Sequence, residues 1–511
     1  MTCDGRKERK SDFFYSEVSS AWYLVAGGNY LRCLYLLRLM EAKNRNGLGA
    51  FFEARSVAVI GSFREQWMGG YGVIKNLLNF GFTGKIYPIN PSCSDVLGMK
   101  AYPGVNQVTD TIDLAIVITP ASVVPTIIQQ CAQQGIKAAI ITSDGFAEAG
   151  EEGARLQQEL MNIAHHTGIR LIGPNTIGIV STANTLVTTP YFTGYNKIRK
   201  GVIAYAGQTG IVGAQALPLE DCAYSISKMC DFGNKCDVDE IDLLEYLAAD
   251  SETKVIAMHL EDIKDGRRFI NVARRVVSLK PVLMLKPGRT EASIKAVSSH
   301  TGSLVGDDKV YDSALKQAGI IRLRTWQEFL EIPKIFASQP LPGGNRVAIV
   351  TLTGGVGIMA VDAAVESGLT IAQLSSSTID KLAELSPRLV GNPIDFGQAW
   401  TMVKDYPLTL EPVIATVLDD TGVDCAAVIL WTASMPEIPA IVDTFRRLRH
   451  RVSKPIVVWI YSTKLAVAQE LRRELETLGL PTYSNLETAV KALGVAAEYA
   501  QVKSHLNNEL G

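Results

Sequence analysis

The 511-residue sequence lacks the spacings that mark a metal site or a disulfide framework. Its eight cysteines are Cys3, Cys33, Cys93, Cys131, Cys222, Cys230, Cys236 and Cys425, and no two of them form a CxxC pair or part of a zinc template. Several sit among apolar neighbours, where a thiol behaves as a small hydrophobe, so a reducing, cytoplasmic compartment is expected. No basic face or lysine/arginine run stands out, and the net charge is only −2. That composition argues against a nucleic-acid partner. Low-complexity tracts and short-period repeats are absent, and so is the phosphate-binding pattern GxxxxGK[ST]. The most apolar stretch, residues 21–40, contains Asn29, Arg32 and Arg38. A central arginine costs about 2.5–3.5 kcal/mol in a bilayer, so no membrane span is expected there. The stretch also lacks a signal-peptide cleavage pattern. Residues 1–49 read as an extension, a short accessory helix or a non-native leader, with Met40 a candidate start.

Apolar side chains (47%) and many glycines (43) are what the chain does have. Many of those glycines follow short β-branched runs, as in α/β proteins with tight strand-to-helix turns. The length corresponds to about three domains. One grammar recurs three times: strand, glycine-bearing turn, amphipathic helix, strand. In the first pass, the strand Ser56–Ile60 runs into Gly61-Ser62, and a helix follows over Tyr71–Phe80. Further strands are expected at 85–89, 114–119 and 138–142, with a helix at 123–135. The second pass has strands at 202–206, 255–260 and 282–286, with a helix at 267–277. The turn Gly207-Gln208-Thr209-Gly210 is expected to start another helix. The third follows the linker-like Pro340–Gly344, with strands at 346–351, 426–431 and 456–460 and a closing helix near 486–499. Strands alternating with helices predict parallel, doubly wound sheets.

In such sheets ligands bind at the carboxyl ends of the strands, where helix N-termini present free N–H groups. The turns that fall there in the first domain are Gly61-Ser62-Phe63-Arg64, Asn90-Pro91, Thr119-Pro120 and Ser143-Asp144. They suit a nucleotide-like ligand, although the first is not the GxGxxG dinucleotide fingerprint and such turns often only close the chain. The chain has six histidines. His300 alone sits among small residues and glycine, in Ser298-Ser299-His300-Thr301-Gly302-Ser303. An imidazole so exposed is a good phosphate acceptor near neutral pH, and is otherwise an idle loop residue. Gln208-Thr209-Gly210 offers N–H groups to an anion. Glu261, after the strand at 255–260, is a candidate to orient that imidazole or else a solvated loop acid.

Together these segments make an ordered set: SVAVIGS, INP, TPA, SDGFAEAGEEG, IGPN, GQTG, GNKCDVDEIDLLEYL, HLEDIKDGRRF, LKPGRT and SSHTGSLVG. The set resembles the ADP-forming acetate–CoA ligase family, which is related to the α subunit of succinyl-CoA synthetase. The resemblance covers about residues 50–500. It implies a Rossmann-like CoA-binding domain (50–172), a flavodoxin-like ligase domain carrying the phosphohistidine loop (173–339) and a second flavodoxin-like domain (340–511). It implies CoA contacts from Gly61, Ser62, Arg64, Asn90, Pro91, Thr119 and Pro120, with Ser143 and Asp144 nearby. His300 would be the residue phosphorylated in turnover, Glu261 its supporting carboxylate, and Gln208, Thr209 and Gly210 the phosphate cradle. Mg-ATP or ADP would be bound mainly by a separate ATP-grasp β subunit, because the sequence has no room for that module. The result would be a hetero-oligomeric acid–thiol ligase acting on a small carboxylic acid. A non-catalytic acyl-CoA-sensing protein on the same scaffold is the alternative. The chain departs from the family in reading GQTG where SQSG is common, SDGF where SAGF is common, and in its third-domain turn.

Overall fold

The computed structural model describes residues 47–65, 68–192, 197–217, 225–294, 307–399 and 406–510. The first sheet has five parallel strands: β1 (Ser56–Gly61), β2 (Lys85–Ile89), β3 (Leu114–Ile118), β4 (Ala138–Ile141) and β5 (Arg170–Ile172), in the order β2-β1-β3-β4-β5. β1 is buried along its whole length, as expected of a parallel strand covered on both faces. Alternate residues go to opposite sides: Val57 and Val59 join one apolar cluster, Ala58 and Ile60 another. Helices α1 (Gly70–Asn79), α2 (Val124–Gln133) and α3 (Glu151–Thr167) complete the crossovers.

The second sheet has seven strands: β6 (Ile179–Ser181), β7 (Leu186–Val187), β8 (Ile203–Gly207), β9 (Ile226–Asp231), β10 (Val255–His259), β11 (Val282–Leu285) and β12 (Ile321–Leu323). Their order is β12-β11-β10-β8-β9-β6-β7. β8 to β12 are parallel, whereas β6 runs antiparallel to β9 and to β7. This antiparallel edge was not expected from the sequence. Helices α4 (Glu240–Ala249), α5 (Gly266–Leu279) and α6 (Asp308–Ala318) cover the sheet. One face of the first sheet and the second sheet share a single apolar cluster, from Leu48 to Ile332. Burial is therefore continuous across residues 172–173.

After α7 (Trp326–Glu331) and α8 (Pro333–Ser338), the third sheet comprises β13 (Arg346–Thr351), β14 (Thr370–Ile371), β15 (Ile394–Asp395), β16 (Cys425–Trp431), β17 (Ile456–Tyr461) and β18 (Thr482–Tyr483). The order is β14-β13-β16-β17-β18, with β15 added beside β13. The closing helix, α9 (Leu486–Leu510), is longer than its sequence pattern suggests. It does more than cap this sheet: Val495, Tyr499 and Leu506 join the apolar cluster of the first two sheets, and the Tyr499 hydroxyl donates to Val277 O (2.9 Å). Among the described residues, no helix is long and apolar enough to cross a membrane.

Candidate active site

In the first sheet the strand order turns back at β1, between β2 and β3, which is where an open α/β sheet forms its ligand crevice. A cleft of ≈ 370 Å³ lies there. Gly61, Ser62, Asn90, Pro91, Thr119 and Pro120, six of the residues expected to hold CoA, line it, and none of the lining residues is ionisable. Gly61 is required by its surroundings: a Cβ would lie 2.3 Å from Ile118 O on the neighbouring strand. Asn90 closes the same turn, donating from Nδ2 to Gly61 O (2.7 Å) and accepting from Ser92 N (2.7 Å). The Thr119 hydroxyl is buried with no hydrogen-bond partner among the described residues. Three other expected residues stand differently. Arg64 is exposed outside the lining, with its N–H on Ser62 Oγ. Asp144 is exposed and Ser143 is buried, accepting the Thr119 N–H at 3.1 Å. Ser143 thus supports the cleft from behind.

The second sheet turns back between β8 and β10, and Gln208 and Glu261 follow those two strands. Gln208 spans the gap. Its Nε2 donates to Asp262 Oδ1 (2.9 Å), and its Oε1 accepts from Glu261 N (3.0 Å) and Asp262 N (3.3 Å). Both ends of the side chain are therefore committed to holding the Glu261 loop. The helix expected to begin at Gly210 is not seen over the described residues 210–217, which form turns closed by Val212 N on Thr209 O and Ala216 N on Gly213 O. Glycine at 207, 210 and 213 disfavours regular helix here. The N–H groups at this turn thus belong to a loop, and no helix begins over these described residues. Glu261 is buried at 7% exposure. His300 lies outside the described residues.

Several ionisable residues at this edge carry no signal in the sequence. Asp231 ends β9, and burial pushes its carboxyl up to about 6 despite N–H donors from Ile177 and Gly233. His259 ends β10, and burial holds its imidazole down near 4; its Nδ1 has no partner among the described residues. Lys286 follows β11, and burial, then repulsion from Arg322, lowers its ammonium to about 8. It donates to Pro287 O (2.8 Å) and lies 4.5 Å from the Tyr311 ring centroid. Burial of this kind at strand ends is what shifts titration toward neutral pH.

The segment 173–177 joins the two edges. Asn175 N donates to Ser143 O (2.8 Å) on the first side. On the second, Pro174 O accepts from Asn234 N (2.9 Å) and Asp231 Oδ2 accepts from Ile177 N (2.9 Å). Gly233 permits this approach: its φ is +54°, and a Cβ would meet Pro174 O at 2.1 Å. Glu148 adds a tie, accepting from Gly145 N (2.7 Å), Phe146 N (3.0 Å) and the Asn234 amide. Burial would raise the Glu148 carboxyl, but the Asn234 amide and these N–H donors outweigh it and lower its pKa.

Two protein families match parts of the chain. Residues 55–182 match the CoA binding domain family, and residues 200–336 match the succinyl-CoA ligase like flavodoxin domain family. The chain is 38% identical to the α subunit of acetate–CoA ligase [ADP-forming] II from Pyrococcus furiosus, over 90% of this chain and 98% of that one. Acetate–CoA ligase [ADP-forming] II of Archaeoglobus fulgidus is also 38% identical, over 88% of this chain but only 66% of its own length. Among solved structures, the Candidatus Korarchaeum cryptofilum dinucleotide-forming acetyl-coenzyme A synthetase 1, in complex with phosphate and ADP, superposes with a TM-score of 0.82. That match is at 30% identity and covers 91% of this chain and 99% of that one. With near end-to-end identity of this order to an α subunit, the chain belongs to the ADP-forming acetate–CoA ligase family.

Proposed function

We propose that this chain is the CoA-binding catalytic α subunit of an ADP-forming acyl-CoA synthetase, interconverting acyl-CoA, ADP and phosphate with carboxylic acid, CoA and ATP. The observation that carries this reading is the joining of two carboxyl edges. A neutral cleft suited to CoA is tied through residues 173–177 to an edge rich in buried charge. Residues 50–172 would form the CoA unit, 173–339 the phosphoryl unit and 340–511 an accessory unit.

Phosphate, held by the N–H groups around Thr209 and Gly210, attacks the thioester carbonyl; the C–S bond breaks, giving acyl phosphate and CoA. An imidazole nitrogen of His300 then takes the phosphoryl group and releases the carboxylate. Phosphohistidine finally donates the group to ADP on an ATP-grasp β subunit, regenerating the imidazole. Glu261 accepts the other ring N–H of His300 and stabilises imidazolium character as the P–N bond forms. Gln208 acts by fixing the Glu261 backbone. The cleft lining would hold CoA through shape and backbone groups.

Incubation with acetyl [³²P]phosphate tests this on the chain alone. The wild type is expected to take up acid-labile, base-stable label, and H300N none. E261Q should label at least about 100-fold more slowly while keeping its affinity for CoA. Equal labelling of H300N and wild type would remove His300 from the mechanism.

A further inference from the structure

The carboxylate edge of the second sheet is braced by an ion cluster that the reaction steps leave without a role. Lys235 lies in the loop between β9 and α4, with φ at +51° and a side chain only 1% exposed. A non-glycine residue in that conformation costs about 1–2 kcal/mol and persists only where its surroundings hold it. Three acceptors hold the ammonium: Glu240 Oε2 at 3.0 Å, Asp262 Oδ1 at 2.7 Å and Asp262 O at 3.0 Å. Its own carbonyl accepts from Lys264 Nζ (3.1 Å). Burial would raise the Asp262 carboxyl, but Lys235 outweighs it and keeps the acid ionised. From Asp262 the chain of contacts continues through the Gln208 amide to the backbone N–H of Glu261.

A buried ion cluster is a poor source of stability, since apolar side chains of similar size fold about as well. What it supplies is a fixed geometry. We propose that Lys235 is a positioning residue for Glu261. By pinning both the carboxylate and the carbonyl of Asp262, it sets the position from which Gln208 holds the Glu261 loop against the end of β8. Glu240, the first residue of α4, anchors the lysine on its far side. The proposal rests on the reading of Glu261 as the carboxylate that serves phosphoryl transfer.

Labelling of the full chain with acetyl [³²P]phosphate separates the possibilities. K235M is expected to slow labelling about 10- to 100-fold, the scale of a misplaced catalytic group, with the Kd for CoA unchanged. E240Q leaves the ammonium a neutral acceptor oxygen in place of a carboxylate, so it should slow labelling less than K235M does. K235M/E261Q should label no more slowly than E261Q, because both act through one carboxylate. Should K235M fail to fold, D262N keeps the volume and one acceptor oxygen and should slow labelling about tenfold. Wild-type labelling by folded K235M or D262N, or additive losses in the double variant, would overturn the proposal. Wild-type labelling by E261Q would instead overturn the reading on which it stands.

Discussion

The first and second sheets have the same parallel core and the same reversal of strand order, yet their carboxyl edges are built from opposite materials. At β1 and β3 the edge is an open cleft lined by apolar, amide and hydroxyl groups with no ionisable side chain. At β8 and β10 it is built from ionisable groups, with Asp231, Lys235, His259, Glu261 and Lys286 all buried. The lesson is that topology fixes where chemistry happens and burial decides which kind. A neutral cleft holds a large ligand through shape and backbone groups, and costs little to desolvate. Packed charges hold a small, highly charged group only if they are oriented in advance, because each unpaired one is expensive.

If that division is real, each edge can be broken while the other survives. The largest effect is expected for G61V. Its side chain must displace Ile118 O, which lies 2.3 Å from the ideal Cβ position, so the mouth of the cleft closes. Calorimetric titration should give a Kd for CoA at least about 100-fold weaker, equivalent to about 2.7 kcal/mol. Labelling from acetyl phosphate, a property of the second edge, should persist. Loss of both together would mean that the two edges are one cooperative unit.

Much of this arrangement was legible in the sequence, and the residues that were not share a cause. β2 and β13 fall at their expected bounds, because turn residues bracket each short run: Gly84 and Asn90-Pro91 around the first, Gly344-Asn345 and Thr353-Gly354 around the second. β9 was missed: Lys228 and Asp231 interrupt its apolar pattern, and Lys228 is tolerated only because Asp250, 22 residues on, pairs with it at 2.5 Å. The end of α9 was placed too early because its last turns look polar, while Leu506 finds apolar partners in another sheet. Six of the cleft residues could be named, since strand-end turns reveal themselves locally. Gln208 was identified but its role was not, because Asp262 lies 54 residues away. Lys235 and Lys286 gave no local sign at all.

The charged edge can be probed by acid. His259 is pushed from 6.5 to about 4 by burial. Above pH 6.5 it is neutral in both folded and unfolded chains and contributes nothing to the pH dependence. As the pH falls from 6.5 toward 4, the unfolded chain gains a proton that the folded chain refuses, and stability is lost. H259L should remove that loss, amounting to about 2 kcal/mol at pH 5, measured as the difference between wild-type and variant unfolding free energies. Asp231 works the other way: its folded value of about 6 exceeds 3.8, so its contribution is full below 3.8 and lost as pH rises through 6. H259L should therefore expose a stability that declines between pH 4 and 6. A difference curve that is flat with pH would mean that His259 titrates normally.

The smallest effect is the most informative about the neutral edge. Asn90 contributes no charge, yet its amide links the ends of β1 and β2 by donating to Gly61 O at 2.7 Å. If the cleft holds its ligand through a preset backbone shape, removing this link must weaken binding even though the side chain supplies no ion pair. N90A loses a hydrogen bond of about 0.5–1.5 kcal/mol, so the Kd for CoA should rise about 3- to 10-fold. The weakening should be the same at low and high salt, because screening acts on charges and not on a neutral strap. Salt-dependent weakening would place an ionic contact at this turn, with the exposed guanidinium of Arg64 the nearest candidate in sequence, and the contrast between a neutral and a charged edge would narrow accordingly.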